Sequence, residues 1–455
     1  MRQKIIVFRF HGLLSSLAEA IEQNSRMWIK IVHLILPPSQ VDLGGIEFEL
    51  RSTAMENGFT IPSIERIFRQ KFSLATSVEL LWKGGDSFRT IFDAIHRAER
   101  FVCLQFYIFK NDDTGMGLSE LLREKSREGV KVYVLYDHFG SFGTPRSFWR
   151  KMRVEGIQIR ASHPLKWTAP FTYVHRDHRK LIVIDSKRAF TGGLNIANEY
   201  SGFHLRRRSR GWRDTGIFLE GPIVYELFKA FKKSWKTWGG EEISVHTENK
   251  ASHDSPASSP SPRGGKGGGE GEDGIPVLPI FSYSREGRKS MRDLLRYSID
   301  HAQTRILLTT AYFIPSRRLI EKLETAVRRG VRVRLLVPGK SDIPAASYAG
   351  RAFFSRLLKG GIEIYTYLGE MLHAKTYLFD ECWSIIGSTN LDYQSLVYND
   401  EGNVGILDSA FALKMTGIFE EDLSNSAKID EEAWRNRPIL ERMKEHFFAL
   451  FRKRL

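Results

Sequence analysis

Cysteine is almost absent: Cys103 and Cys382 are the two in 455 residues. That excludes a disulfide scaffold and a Cys-rich zinc module, and it suits a reducing compartment. Both read as small core residues. Long apolar runs are missing too. No stretch reaches the 18 or so residues a transmembrane helix needs. Residues 27–36 come nearest, but the run is short and carries Lys30 and His33. Arg2 and Lys4 before Ile5-Ile6-Val7-Phe8 have the look of a signal peptide, yet Arg9 and His11 break that run, so none is expected. A membrane, if met, is met from its surface. Acidic charge is also short, at 53 Asp and Glu against 68 Lys and Arg, a net of +15. Such a surplus favours polyanions, whether nucleic acid, anionic lipid headgroups or phosphorylated substrates, without choosing among them. What is present is globular material. Hydrophobic residues make up 42% and charged residues 27%, enough for large cores in two or three domains.

One segment has no apolar periodicity at all. Residues 246–274 are Ser, Pro, Gly and charge, a composition that cannot bury enough to offset its ordering entropy, and they read as a disordered linker. The halves on either side repeat one another. Phe88, Ile91, Phe92 and Ile95 follow helical spacing, residues 101–108 form a buried strand, residues 118–128 a helix ended by Gly129, and VKVYVLY (130–136) a strand. In the second half, Met291, Leu294 and Leu295 lie on a helix, residues 305–314 on a strand, and residues 319–329 on a helix ended by Gly330. VRVRLLV (331–337) is the next strand. This order predicts an α/β layered sheet in each half. The predicted division is 1–77, an N-terminal extension without an assigned role; 78–245, the first domain; 246–274, the linker; 275–437, the second domain; and 438–455, a C-terminal helix. On that helix Leu440, Met443, Phe447, Leu450 and Phe451 share one face, with Arg442, Lys444, Arg452, Lys453 and Arg454 adding basic charge. Two readings stand: an amphipathic helix in an anionic interface, or a terminal helix packed on its own domain with a solvated basic face. Residues 223–238 look similar, but aromatics at helical spacing there read as core.

Both halves also carry the pattern His-x-Lys-x4-Asp-x6-Gly-(Gly or Ser)-x-Asn. The first set is His178, Lys180, Asp185, Gly192, Gly193 and Asn195; the second is His373, Lys375, Asp380, Gly387, Ser388 and Asn390. One His-x-Lys is a weak signal, but six matched positions in the same place of each repeat are a strong one. On an extended chain, His and Lys two apart project to one side. The Gly pair permits a tight turn, and Asn returns a neutral donor. If the halves pack face to face, two His, two Lys and two Asn share a pocket whose donors stabilise the charge of a phosphorane-like transition state. One neutral imidazole then attacks phosphorus, and the other, protonated, serves the leaving group. The motifs alone do not say which is which. No metal or other cofactor is expected, since Lys and Asn supply the electrostatics and no convincing ligand cluster stands out. Asp214 and Glu401 follow their motifs as candidate acids to orient an imidazole, and equally as ordinary strand-end carboxylates. Asp185 and Asp380 read either as catalytic contacts or as turn stabilisers. His175 reads as pocket edge.

With these motifs on the page, the chain resembles the phospholipase D superfamily, and its wording resembles the bacterial cardiolipin synthase branch. VELLWKGGDSFRTIFDAI, LQFYIFKNDDTG, VHRDHRKLIVIDSKRAFTGGLNIANEY, WRDTGIFLEGPIV, HAKTYLFD and IGSTNLDYQSL carry the likeness, from about Val78 to the C-terminus, linker excepted. The resemblance implies two α/β/α repeats, each a mixed β-sheet flanked by helices, related by pseudo-twofold symmetry. It implies a phosphatidyltransferase acting on phosphatidylglycerol as donor and acceptor, with a phosphohistidine on His178, His373 as acid and base, and glycerol released. Many full-length members carry two N-terminal spans; this chain resembles the shorter ones. The expected partners are phospholipid substrates and an anionic membrane surface, at the inner face of the cell membrane from the cytoplasm. The alternative is water as acceptor, making a phospholipase D or a nuclease. The +15 charge permits a nuclease, but the likeness extends well beyond the shared motif, and nucleic acid is not the expected partner.

Overall fold

The computed structural model describes residues 58–164, 175–202, 211–243 and 274–453. The linker at 246–273, the basic start of the chain and residues 27–36 lie outside them. In chain order the strands are β1 (Ser73–Ala75), β2 (Ser77–Leu81), β3 (Phe101–Phe106), β4 (Lys131–Asp137), β5 (Gln158–Ser162), β6 (Leu181–Ile184), β7 (Arg188–Gly192) and β8 (Gly216–Glu220). Then come β9 (Ile275–Ser282), β10 (Arg305–Thr309), β11 (Arg332–Pro338), β12 (Glu363–Tyr367), β13 (Thr376–Phe379), β14 (Trp383–Gly387), β15 (Glu401–Leu407) and β16 (Ser426–Lys428).

They form two sheets. The first has the order β2-β8-β7-β6-β3-β4-β5, and the second β1-β9-β15-β14-β13-β10-β11-β12-β16. Stripped of its edge strands β1 and β16, the second sheet repeats the first strand for strand. In both, two parallel pairs (β3/β4 and β4/β5; β10/β11 and β11/β12) continue into an antiparallel run. The repeat extends to single caps. Asp112 accepts from Gly115 N to start one crossover helix (Asp113–Arg127), and Ser316 accepts from Leu319 N to start its counterpart (Arg317–Arg328). Gly129 and Gly330 then turn the chain at the same φ of 92°, a left-handed conformation that glycine adopts without strain.

Strand alternation builds the layers. Along β6, Ile182 and Ile184 join an outer core with the helices Gly84–His96 and Asp113–Arg127, while Leu181 and Val183 join a core that residues of both halves share. That shared core lies between the sheets. It takes Leu227, Phe228, Phe231 and Trp235 of the helix Ile223–Thr237 from one half, and Leu378, Val404, Met415 and Phe419 from the other. Cys103 is buried there as a free thiol.

One assignment changes. Residues 58–75, read from sequence as part of a separate extension, belong to the second half. Phe59, Ile64 and Phe68 are buried in its outer core, and β1 pairs antiparallel with β9. The reason is the apolar spacing of the helix Ile61–Phe68, which needs a partner face and finds it on the helix Arg285–His301, with the Tyr297 hydroxyl bonded to Gly58 O.

Candidate active site

Each His-x-Lys segment enters its sheet through β6 or β13, and each is held on the other half. His178 N donates to Asp400 O at 2.8 Å, and Asp400 N to Arg176 O at 2.8 Å. Symmetrically, His373 N donates to Arg213 O at 2.7 Å, and Arg213 N to Met371 O at 2.8 Å. These are two parallel bridges between the repeats, Asp177–Asp400 and Arg213–Leu372. They are what brings the imidazoles together: His178 and His373 line one cleft of about 870 Å³ with Asn195, Asn390, Tyr107 and Tyr200.

The orienting acids cross over as well. Glu401, from the second half, lies 3.1 Å from His178 Nδ1; Asp214, from the first, lies 2.7 Å from His373 Nδ1. Glu401 and Asp214 are both buried. With Nδ1 occupied, each ring turns Nε2 toward the cleft. The two settings differ. His178 Nδ1 faces acceptors alone, Glu401 and Ser388 O at 3.2 Å, so its proton stays there. His373 Nδ1 faces Asp214 and also Lys375 Nζ, at 2.7 Å each. The carboxylate accepts and the ammonium donates, so this nitrogen answers Asp214 with its proton and Lys375 without it.

Lys180 Nζ donates to His178 O at 2.5 Å, and Lys375 Nζ likewise to His373 O. Burial, reinforced by the other lysine, pulls Lys180 down to about 7; burial pulls Lys375 down to about 8, against the attraction of Asp214 and Glu401. Burial and the neighbouring Lys180 lower His178, with Glu401 opposing. Burial and Lys375 lower His373 to about 3, with Asp214 opposing. Burial works to raise Asp214, but Lys375 and His373 outweigh it and hold the carboxyl below its usual range. The cleft therefore disfavours the protonated forms of both lysines and both histidines.

The asparagines sit at matched places. Asn195 Oδ1 accepts from Ile108 N at 3.0 Å and its amide donates to the Tyr200 hydroxyl at 2.9 Å; Asn390 Oδ1 accepts from Tyr312 N at 3.3 Å. Gly193 is required by its acid: a Cβ there would stand 1.9 Å from Asp214 Oδ1. Ser388 occupies the matching place and its hydroxyl donates to Glu401.

Asp185 and Asp380 are not brought into the cleft, which corrects their reading as catalytic. Each takes a left-handed turn, φ 56° and 53°, that swings its carboxylate back over the start of the neighbouring strand. Asp185 accepts from Glu99 N, Arg100 N and Phe101 N, and Asp380 from Gln303 N, Thr304 N and Arg305 N. They tie β6 to β3 and β13 to β10. His175 stands at the rim, 5.7 Å from the ring of Tyr398, a lining residue.

Sequence reasoning missed the aromatic packing on the imidazoles, Tyr107 on His178 at 5.0 Å and Tyr200 on His373 at 5.3 Å. It also missed an ion network beside His178, in which Arg179 pairs with Asp177 at 2.8 Å and Arg288 with Asp400 at 3.2 Å. Tyr200, five residues past Asn195 on the same turn, was the one with a readable signal. Among the described residues, no three His, Cys, Asp or Glu side chains gather closely enough to ligate a metal ion.

Comparison with known proteins agrees with this geometry. The family model described as "Cardiolipin synthase, PLD-like domain" matches residues 91–235 and 295–423. The chain is 32% identical over 393 residues to the probable cardiolipin synthase YwiE of Bacillus subtilis (strain 168), covering 85% of this chain and 74% of that one. It is 31% identical over 375 residues to the major cardiolipin synthase ClsA of the same organism, covering 82% and 74%. Among solved structures, phosphatidylserine synthase from Haemophilus influenzae Rd KW20 shares the fold, with a TM-score of 0.63 at 14% identity, covering 87% of this chain and all of that one.

Proposed function

The chain belongs to the cardiolipin synthase family of phospholipase D-like enzymes, and from that premise we propose a two-step phosphatidyl transfer in the cleft between its repeats. The observation that carries the reading is the crossed pairing: two imidazoles from different repeats, each held at Nδ1 by the other repeat's carboxylate, line one cavity.

In the first step His178 Nε2 attacks the phosphorus of phosphatidylglycerol. The bond to the headgroup oxygen breaks, and His373 gives its proton to the departing glycerol. A phosphatidyl-histidine remains. In the second step His373 takes the proton of a hydroxyl on a second phosphatidylglycerol. That oxygen attacks phosphorus, the P–N bond breaks, and cardiolipin leaves. The assignment of His178 as nucleophile is supported by its Nδ1, which meets only acceptors and so keeps a lone pair on Nε2. The shuttling role of His373 is supported by its Nδ1, which meets both an acceptor and a donor. Lys180, Lys375, Asn195 and Asn390 hold the phosphoryl oxygens. An anionic phosphodiester between two lysines of lowered proton affinity draws protons into the site, which prepares His373 as the acid.

The substrates lie in a bilayer, so the enzyme works at a membrane surface, which we take to be the inner face of the cell membrane. The net charge of +15 favours anionic headgroups there. No helix among the described residues is long and apolar enough to cross a membrane.

Mass spectrometry of products from phosphatidylglycerol vesicles tests the reading. Cardiolipin and glycerol in equal amounts are expected. Phosphatidic acid as the sole lipid product would make water the acceptor, and cleavage of DNA with no lipid product would overturn the substrate class.

A further inference from the structure

The helix Ile439–Ala449 is mounted with its polar side inward. Glu445 is fully buried, paired with Arg437 at 2.5 Å and with Arg351 at 3.2 Å. Phe448 stacks on Tyr348 at 5.7 Å, and both Tyr348 and Arg351 belong to the helix Pro344–Arg351. The apolar side faces out. Leu440, Met443, Phe447 and Leu450, at i, i+3, i+7 and i+10, are 66%, 61%, 55% and 78% exposed. The helix is packed on its own domain, as one of the two readings had it, but through Glu445 and Phe448 and not through its apolar stripe. Arg442 and Lys453 are exposed on the same segment, Arg452 is half-buried, and Lys444 is exposed but paired with Glu441 at 3.0 Å.

The position of the helix matters as much as its face. Lys453, just past its end, lines the cleft, and its carbonyl accepts from Gln394. Two more exposed apolar groups line the same cleft from other elements, Phe139 in the turn after β4 and Ile343 before the helix Pro344–Arg351. Exposed apolar side chains from two elements therefore line the mouth, and the chain just past the helix reaches it through Lys453. A second copy of the chain on this face would bring Arg442, Arg452 and Lys453 against their like, whereas an anionic bilayer neutralises them and takes up the apolar stripe.

We infer that the segment 439–453 docks in the headgroup–acyl boundary of an anionic bilayer and holds the cleft mouth against it. The inference rests on the phospholipid substrates proposed above, and its test separates the two. Both cysteines are buried, so Leu450→Cys provides one reactive thiol for an environment-sensitive fluorophore. Vesicles of phosphatidylglycerol and phosphatidylethanolamine should shift its emission to the blue, less at high salt; phosphatidylcholine vesicles should not. The absence of a shift with any vesicle would overturn the inference. So would emission already blue without lipid, whether it depends on protein concentration (a second copy on the face) or not (another part of the chain). In parallel, the triple variant Leu440→Glu, Phe447→Glu, Leu450→Glu should turn over vesicular phosphatidylglycerol roughly tenfold or more slowly. Its rate on a short-chain phosphatidylglycerol dispersed as monomers should stay within about twofold of the parent. Equal rates of parent and variant on vesicles would sink the docking role. A parent inactive on both lipids whose fluorophore still shifts would sink the proposed substrate and leave the docking intact.

Discussion

The two repeats share strand order, caps and motif, yet they are not equivalent where the chemistry lies. Beside His373, Leu372 and Ala374 join the shared core; at the matching places beside His178 stand Asp177 and Arg179, a buried ion pair. The first repeat supplies Asp214 and must keep Gly193 bare to make room for it. The second supplies Glu401 and spends a hydroxyl, Ser388, to hold it. A pseudo-twofold axis makes two imidazoles meet, and these departures from symmetry give them different surroundings.

The largest expected effect breaks the comparison outright. His178→Ala should lower turnover by at least about 10³-fold and abolish any acid-labile phosphoenzyme. His373→Asn should be comparably slow overall but still capture a phosphatidyl group on His178 when the donor carries a headgroup that leaves without a proton. Mass spectrometry of the intact protein would show which imidazole is modified; a phosphatidyl group on His373 would reverse the assignment. Next comes a pair of exchanges across the axis. Gly193→Ser puts a Cβ where Asp214 stands, so His373 loses its partner, and activity should fall by about 10²-fold. Ser388→Gly removes a hydrogen bond to Glu401 and the acceptor of Gly402 N but leaves the acid in place, and should cost less than about tenfold. Equal losses would mean that the acids are interchangeable.

A smaller effect sharpens the comparison through pH. Folding lowers Lys180 to about 7 and Lys375 to about 8, so both ammoniums discharge as pH rises through that range. If the phosphodiester binds the charged forms, KM for a monomeric substrate should begin a first climb near pH 7 and a second, steeper one near pH 8. Lys180→Arg keeps its charge throughout and should remove the lower of the two steps while leaving the upper one. A profile unchanged by that substitution would take Lys180 away from the phosphate.

Much of this was legible because it is local. Repeat, strand order, helix ends and six motif positions are written in short windows, and a matched pair of windows is stronger than either alone. The crossing of the acids was not legible. Asp214 and Glu401 stood out as candidates, but which histidine each serves depends on contacts 159 and 223 residues apart. The direction of the C-terminal stripe was illegible for a related reason: spacing shows that a face exists, and only packing shows where Glu445 goes. Residues 58–75 read only as part of an extension because nothing in their own window names a partner, and β1 finds one at the edge of the second sheet.

The last contrast lies within each repeat, between what the motif holds in the cleft and what it holds elsewhere. Strand alternation carries His178 and Lys180 to one side, and by the same rule Asp185 would follow the pattern into the core or out of it. It does neither, because the chain turns left-handed at that residue and its carboxylate satisfies three backbone N–H groups at the start of β3. Asp380 repeats this at β10. Alanine at either position leaves those donors unpaired at a partly buried edge, at a cost of about 2–4 kcal/mol in stability. Well below the melting transition, kcat should stay within about twofold and the pH profile should not move. A thermal shift without a kinetic one separates these aspartates from the histidines of the same motif. A drop in kcat at full folding would return them to the chemistry.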